Sequence, residues 1–296
     1  MSCMKLHIFI ILLIQLVHNA IGQSVTGAPT WSPDGKSFAY VSGTERNRDV
    51  FVYDFDKNLV SQLTFSDSSE WTPSWSPDGK YIAFISSRDG NRELYVYNFK
   101  LKTVSRLTSS AFIEGAPSWS PDSRKILFIQ FNPSENSRHI FESDLNGDVV
   151  RLELDNRKSY IYPKMSSNGA SLLFGMKEGE PGNYYHIWTK DLATGQLRQI
   201  EDRPGVSYNP SWSTDASKIL FINQSDQDIT TATIYQVNSD GSDLRQMLTC
   251  ENGCFQARFS PDGKSILYKN GWGEKNTGIY LYSLESKESK VIIGVD

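Results

Sequence analysis

The strongest constraint on this chain is a phrase that recurs along nearly its whole length. It reads Pro29-Thr30-Trp31-Ser32-Pro33-Asp34-Gly35-Lys36, then Pro73-Ser74-Trp75-Ser76-Pro77-Asp78-Gly79-Lys80, then Pro117-Ser118-Trp119-Ser120-Pro121-Asp122-Ser123-Arg124. Weaker copies centre on Met165, Trp212 and Phe259, and successive centres lie 44, 44, 46, 47 and 47 residues apart. Self-similarity at such a period means small units that bury surface by stacking on their neighbours. A repeat of about 45 residues with four short strands in each unit is the pattern of propeller blades. The expected fold is therefore all-β: a six-bladed β-propeller of four-stranded antiparallel blades.

The second unit shows why each residue type is present. A short first strand around Pro73 to Ser76 ends in Ser-Pro-Asp-Gly, where Pro presets a turn φ and Gly accepts a positive one. Tyr81 to Ile85 reads as an apolar strand, Glu93 to Asn98 alternates as a half-buried strand should, and Thr103 to Thr108 closes the meander. The same order laid over the chain gives blades at about 29–64, 73–108, 117–154, 163–200, 210–249 and 257–294. Each blade owns its four strands, so no interdigitated latch between the termini is expected, and the ring must close by packing.

The column Trp31, Trp75, Trp119, Met165, Trp212 and Phe259 is read as blade-to-blade packing, because Met and Phe preserve bulk but not binding chemistry. The Asp of each Ser-Pro-Asp-Gly turn is read as a turn former. A catalytic acid would not be repeated blade after blade.

Composition limits the function classes. With 30 basic and 34 acidic residues the net charge is −4, and no run of Lys and Arg interleaves with aromatics, so nucleic acid is set aside as a partner. The N-terminal 22 residues differ from the rest. Lys5 precedes an apolar stretch from Leu6 to Val17, and Ala20-Ile21-Gly22 offers the small residues of a signal-peptidase site, giving an expected mature start at Gln23. About a dozen apolar residues, broken by Gln15 and His18, fall short of the roughly 20 that span a bilayer, so no membrane span is expected.

Cys3 would leave with the leader. Cys250 and Cys254 remain, and in an exported protein they are expected to pair across Glu251-Asn252-Gly253. Closing so short a loop stabilises by only about 2 kcal/mol, so the bridge is a local staple. Two thiols with no accompanying His do not make a zinc site, and their spacing is not that of a redox pair.

Trp75-Ser-Pro-Asp-Gly-Lys80, an Ile-Ala-Phe strand, an Arg88-x-Gly90 turn, a Leu-Tyr-x-Tyr strand and an Arg106-Leu-Thr108 ending resemble the TolB-type propeller repeat, a distant relative of WD-type repeats. The resemblance covers about residues 29 to 294 and is weakest at Ser166-Ser-Asn-Gly169 and Ser213-Thr-Asp-Ala216. It implies a six-bladed propeller in the periplasm or outside the cell, used chiefly as a protein- or ligand-binding platform; no cofactor is expected. Only Gln23 to Ala28 separate the expected cleavage site from the first blade, so the further α/β domain that TolB-type proteins carry before the propeller is not expected. Similar repeats build the propellers of prolyl-oligopeptidase-like peptidases and oligogalacturonate lyases, so the repeat names a shape and not an activity.

Specificity is expected in the loops that enter each first strand, which open on the mouth of the central channel. Three residues before the Pro position stand Thr26, Glu70, Glu114, Tyr160, Ser207 and Cys254, and the next columns add Trp71, Ile161, Tyr162, Tyr208, Asn209, Phe255 and Gln256. Glu70, Trp71, Glu114, Tyr160, Tyr162, Tyr208 and Asn209 are the candidate recognition surface for a protein or small ligand; the competing reading is a solvated loop rim. Tyr and Trp are common interface anchors.

Catalysis is not expected. The mature chain has only His139 and His186, no Gly-x-Ser-x-Gly elbow, no phosphate loop and no His-x-x-x-His pair, and no metal site is expected. A calcium loop is absent too, although two carboxylates at the mouth could attract a cation. The alternatives are a lyase or glycosidase using Glu70 and Glu114, or a purely structural module of an envelope complex. A carboxylate pair within about 10 Å across an open cleft would suit the former. Asn223-Gln-Ser225 is a lone glycosylation sequon, and a monomer is expected.

Overall fold

The computed structural model describes residues 27, 29–44, 46–152, 154–177, 184–228, 230–271 and 277–294. The expected leader 1–22, the cleavage point before Gln23 and the rim position Thr26 lie outside them. Among the described residues the strands form six four-stranded sheets, each antiparallel and each built from four consecutive strands. Among the described residues no sheet combines strands from the two ends of the chain, as expected of a ring without a latch.

Each Ser-Pro-Asp-Gly turn is fixed by the same bonds. In blade 1 Ser32 Oγ donates to Asp34 Oδ1 at 2.6 Å, and Asp34 in turn accepts the Lys36 N–H at 3.0 Å. The Ser-to-Asx bond recurs at Asp78, Asp122, Asn168, Asp215 and Asp262. The repeated Asp is thus a turn former, and Asn168 does the same work in the degenerate fourth turn.

Six clusters of buried side chains, one at each interface between neighbouring blades, form the core, and each contains one member of the Trp column. Trp119 packs among Ala83, Ile85 and Leu94 of blade 2 and Ile126 and Phe128 of its own blade. Trp75, Met165, Trp212 and Phe259 take the same place at the other interfaces. Trp31 sits with Leu267, Ile279 and Ile293 of blade 6, so it closes the ring by packing alone. Polar atoms reinforce two of these contacts. The indole of Trp119 donates to the Ser74 carbonyl at 2.9 Å, and that of Trp212 to the Lys164 carbonyl at 3.3 Å. Cys250 and Cys254 are disulfide-bonded across the turn into blade 6, as their spacing predicts.

The innermost strands are longer than the sequence reading. They run Glu70–Trp75, Ile113–Trp119, Ser159–Met165, Val206–Trp212 and Cys254–Phe259 in blades 2 to 6, where a loop is expected before Pro. This difference decides where every candidate site residue points.

Candidate functional site

Because the positions before Pro are strand and not loop, side chains alternate between faces. The column three residues before Pro, expected at the rim, turns into the blade interfaces: Glu70, Glu114, Tyr160, Ser207 and Cys254 are all buried. Tyr160 donates its hydroxyl to the Asp155 carbonyl at 3.0 Å and meets Phe174 edge-on. Tyr208 is also buried, donating to the Cys254 carbonyl at 3.3 Å within the core between blades 5 and 6. Tyr160 and Tyr208 are therefore packing residues, which corrects their assignment to the recognition surface.

The two acids are braces as well. Glu70, at 0% exposure, accepts hydrogen bonds from Thr64 and from the Arg88 guanidinium. Asp49 joins from blade 1, taking the Thr64 hydroxyl at 3.2 Å and the Ser66 N–H at 3.1 Å. The motif repeats one interface on. Glu114 accepts the Leu94 N–H at 3.0 Å and the Gln130 amide at 3.2 Å, and it shares the Thr108 hydroxyl with Glu93, which lies 2.8 Å from that oxygen. A hydroxyl has one proton, so bonding to both carboxyls requires a proton on one of them. Burial pushes Glu70 and Glu114 up to about 7, with the Thr64 and Thr108 hydrogen bonds opposing it. A sugar-cleaving pair needs carboxyls open to a substrate; these two are enclosed, which removes the geometry for a lyase or glycosidase built on them.

What faces the axis is the column just before Pro. Thr72, Ala116, Tyr162, Asn209 and Gln256 have φ between 45° and 52°, the left-handed region that residues other than Gly rarely adopt. Each sits at a break in register, between Trp71 and Ser74 in blade 2 for example, so every one of these inner strands carries a bulge. A bulge re-aims a side chain, and here it points Thr72, Tyr162, Asn209 and Gln256 toward one cavity.

The result is a cavity of about 190 Å³. Arg48 reaches it from blade 1, Trp71 and Thr72 from blade 2, Tyr162 from blade 4 and Asn209 from blade 5. Blade 6 adds Phe255, Gln256 and Lys269. Five blades meet only on the axis, so this is the channel itself. Trp71, Tyr162 and Asn209 of the expected surface are thereby brought together. Three further concavities, of about 290 to 310 Å³, lie in grooves between pairs of blades beside the repeated turns and follow from the repeat itself.

The cations were missed in the sequence. Arg48 and Lys269 line the cavity, Arg92 stacks over Trp71 at 4.2 Å, and Arg258 donates to the Asn209 carbonyl at 3.4 Å. Lys164, on the inner strand of blade 4, feels the charge of Arg258 on that of blade 6. The column between Pro and Trp holds Thr30, Ser74, Ser118 and Ser211 but Lys164 and Arg258 in blades 4 and 6, a signal that was legible. Burial, aided by the charge of a neighbouring Arg, pushes Lys269 down to about 8 and Lys164 well below its usual value, and burial lowers Arg258 to about 10. Among the described residues no three His, Cys, Asp or Glu side chains are grouped to hold a metal, and no helix is long and apolar enough to cross a membrane.

The family described as TolB beta propeller domain matches residues 14–184, more than half of the chain. The chain belongs to the TolB β-propeller family. A TolB homolog of Chlorobium chlorochromatii is 36% identical over 135 residues, 45% of this chain and 28% of that protein. The chain therefore spans little more than a quarter of that relative's length. The crystal structure of TolB from Acinetobacter baumannii superposes with a TM-score of 0.71 at 17% identity, covering 92% of this chain and 65% of that one. An oligogalacturonate lyase in complex with manganese superposes at 0.60 and 12% identity, covering 91% and 76%. At such identities the likeness establishes the fold, and TolB-type propellers share it with enzymes.

Proposed function

We propose that this TolB-family propeller is an exported, non-catalytic binding platform that docks a partner protein or ligand over the mouth of its channel. The observation that carries the reading is the ring of bulged inner strands, which holds four of the residues lining one axial cavity, Thr72, Tyr162, Asn209 and Gln256, in left-handed backbone. Such conformations cost on the order of 1 kcal/mol or more each, and in blades 2, 4, 5 and 6 they turn side chains into one opening, which supports the reading. The recognition surface narrows to Trp71, Tyr162 and Asn209, with Glu70 and Glu114 supporting it from inside the blade interfaces. Export follows from the Lys5 and Leu6–Val17 leader pattern, with a periplasmic or secreted location. Tagged mature protein should retain a partner from its own cells, and Trp71→Ala with Tyr162→Ala should release that partner while the circular dichroism spectrum remains that of the folded propeller. Undiminished retention by the double variant refutes this surface.

A further inference from the structure

The residues that depart from the repeat at the channel share one property. Ten residues after each Trp position stand Val41, Ile85, Ile129, Gly175, Ile222 and Lys269: five apolar or small residues and one ammonium. Lys269 is 5% exposed, and its ammonium stands 5.1 Å from the centre of the Phe255 ring. Lys164 and Arg258 replace the small hydroxyl residue of the other blades. Two residues before Val50, Leu94 and Ile140, which pair with Val41, Ile85 and Ile129, blades 1, 2 and 3 carry Arg48, Arg92 and Arg138. None of these six cations has a carboxylate partner among the described residues, although the chain as a whole is acidic at −4. Arg48 Nε is buried without a partner.

A cluster of like charges held partly out of water is unfavourable for the empty fold. Nothing in blade packing needs it, since Ile occupies the Lys269 position in three blades. Two further groups say what would balance it. Asn209, 1% exposed at the cavity wall, has an Oδ1 with no hydrogen-bond partner, and Thr72 Oγ1 is likewise unpartnered. Trp71 and Phe255 supply apolar faces beside them.

We propose that the channel is a carboxylate-binding site, in which Arg48 and Lys269 hold the carboxylate while Asn209 accepts an adjacent N–H or O–H of the same ligand. The chemistry is shared by the C-terminus of a polypeptide, whose own amide supplies the donor, and by a free acylamino or hydroxy acid. The outer arginines draw the anion to the mouth and the inner cations receive it, with charge focused by the low-dielectric walls. This rests on the channel mouth as the docking surface and names what enters it.

The test uses the whole propeller and titration calorimetry with four probes: acetyl-Ala-Ala-Phe with a free carboxyl, its C-terminal amide, N-acetylphenylalanine and inorganic phosphate. The free acid should bind at least tenfold more tightly than the amide. That ratio should vanish in Lys269→Ile, which restores the residue of the other blades and should fold with an unchanged or raised denaturation midpoint. A tighter tripeptide identifies a polypeptide C-terminus as the source, and equal binding of N-acetylphenylalanine identifies a free acid; both support the site. Equal affinity for acid and amide, phosphate binding as tightly as the acid, no binding by any probe, or a Lys269→Ile variant that loses stability and keeps the ratio overturns it. A partner released by Trp71→Ala yet kept by Lys269→Ile leaves the docking surface standing and removes the carboxylate.

Discussion

Glu114→Gln gives the most direct measure of what the buried acids contribute. Glu114 sits at 2% exposure with no cation bonded to it, and its folded value of about 7 lies above the ordinary 4.5. The folded state thus binds the proton more tightly than the unfolded chain does. The resulting stability is fully present below about pH 4.5 and is lost as pH rises through about 7. At 1.36 kcal/mol for each tenfold in proton affinity, the rise from 4.5 to about 7 corresponds to about 3 kcal/mol. Gln cannot ionise, yet it keeps the shape, and its amide oxygen in the place of Oε2 can still accept from both Leu94 and Thr108. Urea denaturation of both proteins at pH 5, 6, 7 and 8 isolates the effect, because Glu70 and the remaining acids are common to the two. The variant should match the wild type near pH 8 or exceed it, gaining on it by up to about 3 kcal/mol between pH 5 and pH 8. Parallel stability curves would show that Glu114 ionises normally in the fold, and the proton-sharing at Thr108 would have to be abandoned.

Three further predictions concern the frame. Trp119→Ala should lower stability by about 4 kcal/mol in equilibrium denaturation, since it empties the interface between blades 2 and 3 and removes the indole hydrogen bond to the Ser74 carbonyl. Trp31→Phe should be milder than Trp119→Phe, because the Trp31 indole N–H has no partner to lose. Replacing Cys250 and Cys254 together by Ser should cost about 2 kcal/mol, the loop-closure value for their separation of four, and leave the circular dichroism spectrum unchanged.

The blades were legible because their signals are local. Period-2 apolar strands, Ser-to-Asx turns and a bulky residue every 44 to 47 positions survive even where the phrase decays. At Ser213-Thr214-Asp215-Ala216, Ala216 takes the left-handed φ of 56° that Gly holds in four other blades, and Ser213 still donates to Asp215 at 2.6 Å. The site was legible only in part. Trp71, Tyr162 and Asn209 were found from the columns ahead of Pro, but Glu70, Glu114, Tyr160 and Tyr208 were assigned to the same rim. Their direction hangs on whether the strand starts at Pro73 or at Glu70. A shift of one residue in strand register exchanges faces, and the bulge at Thr72 adds a second reversal that no composition rule reveals.

The amino-acid sequence alone determined the number of blades, their turns, the packing column and the disulfide, because each depends on neighbours within about 45 residues. Tertiary structure alone decided that Arg48, Trp71, Tyr162, Asn209 and Lys269, drawn from five blades, share one cavity. Ring closure brings them together across more than 200 residues of chain, and the energy of a buried charge depends on what surrounds it in space. The same closure seals Glu70 and Glu114 into the walls and leaves the cations facing the axis.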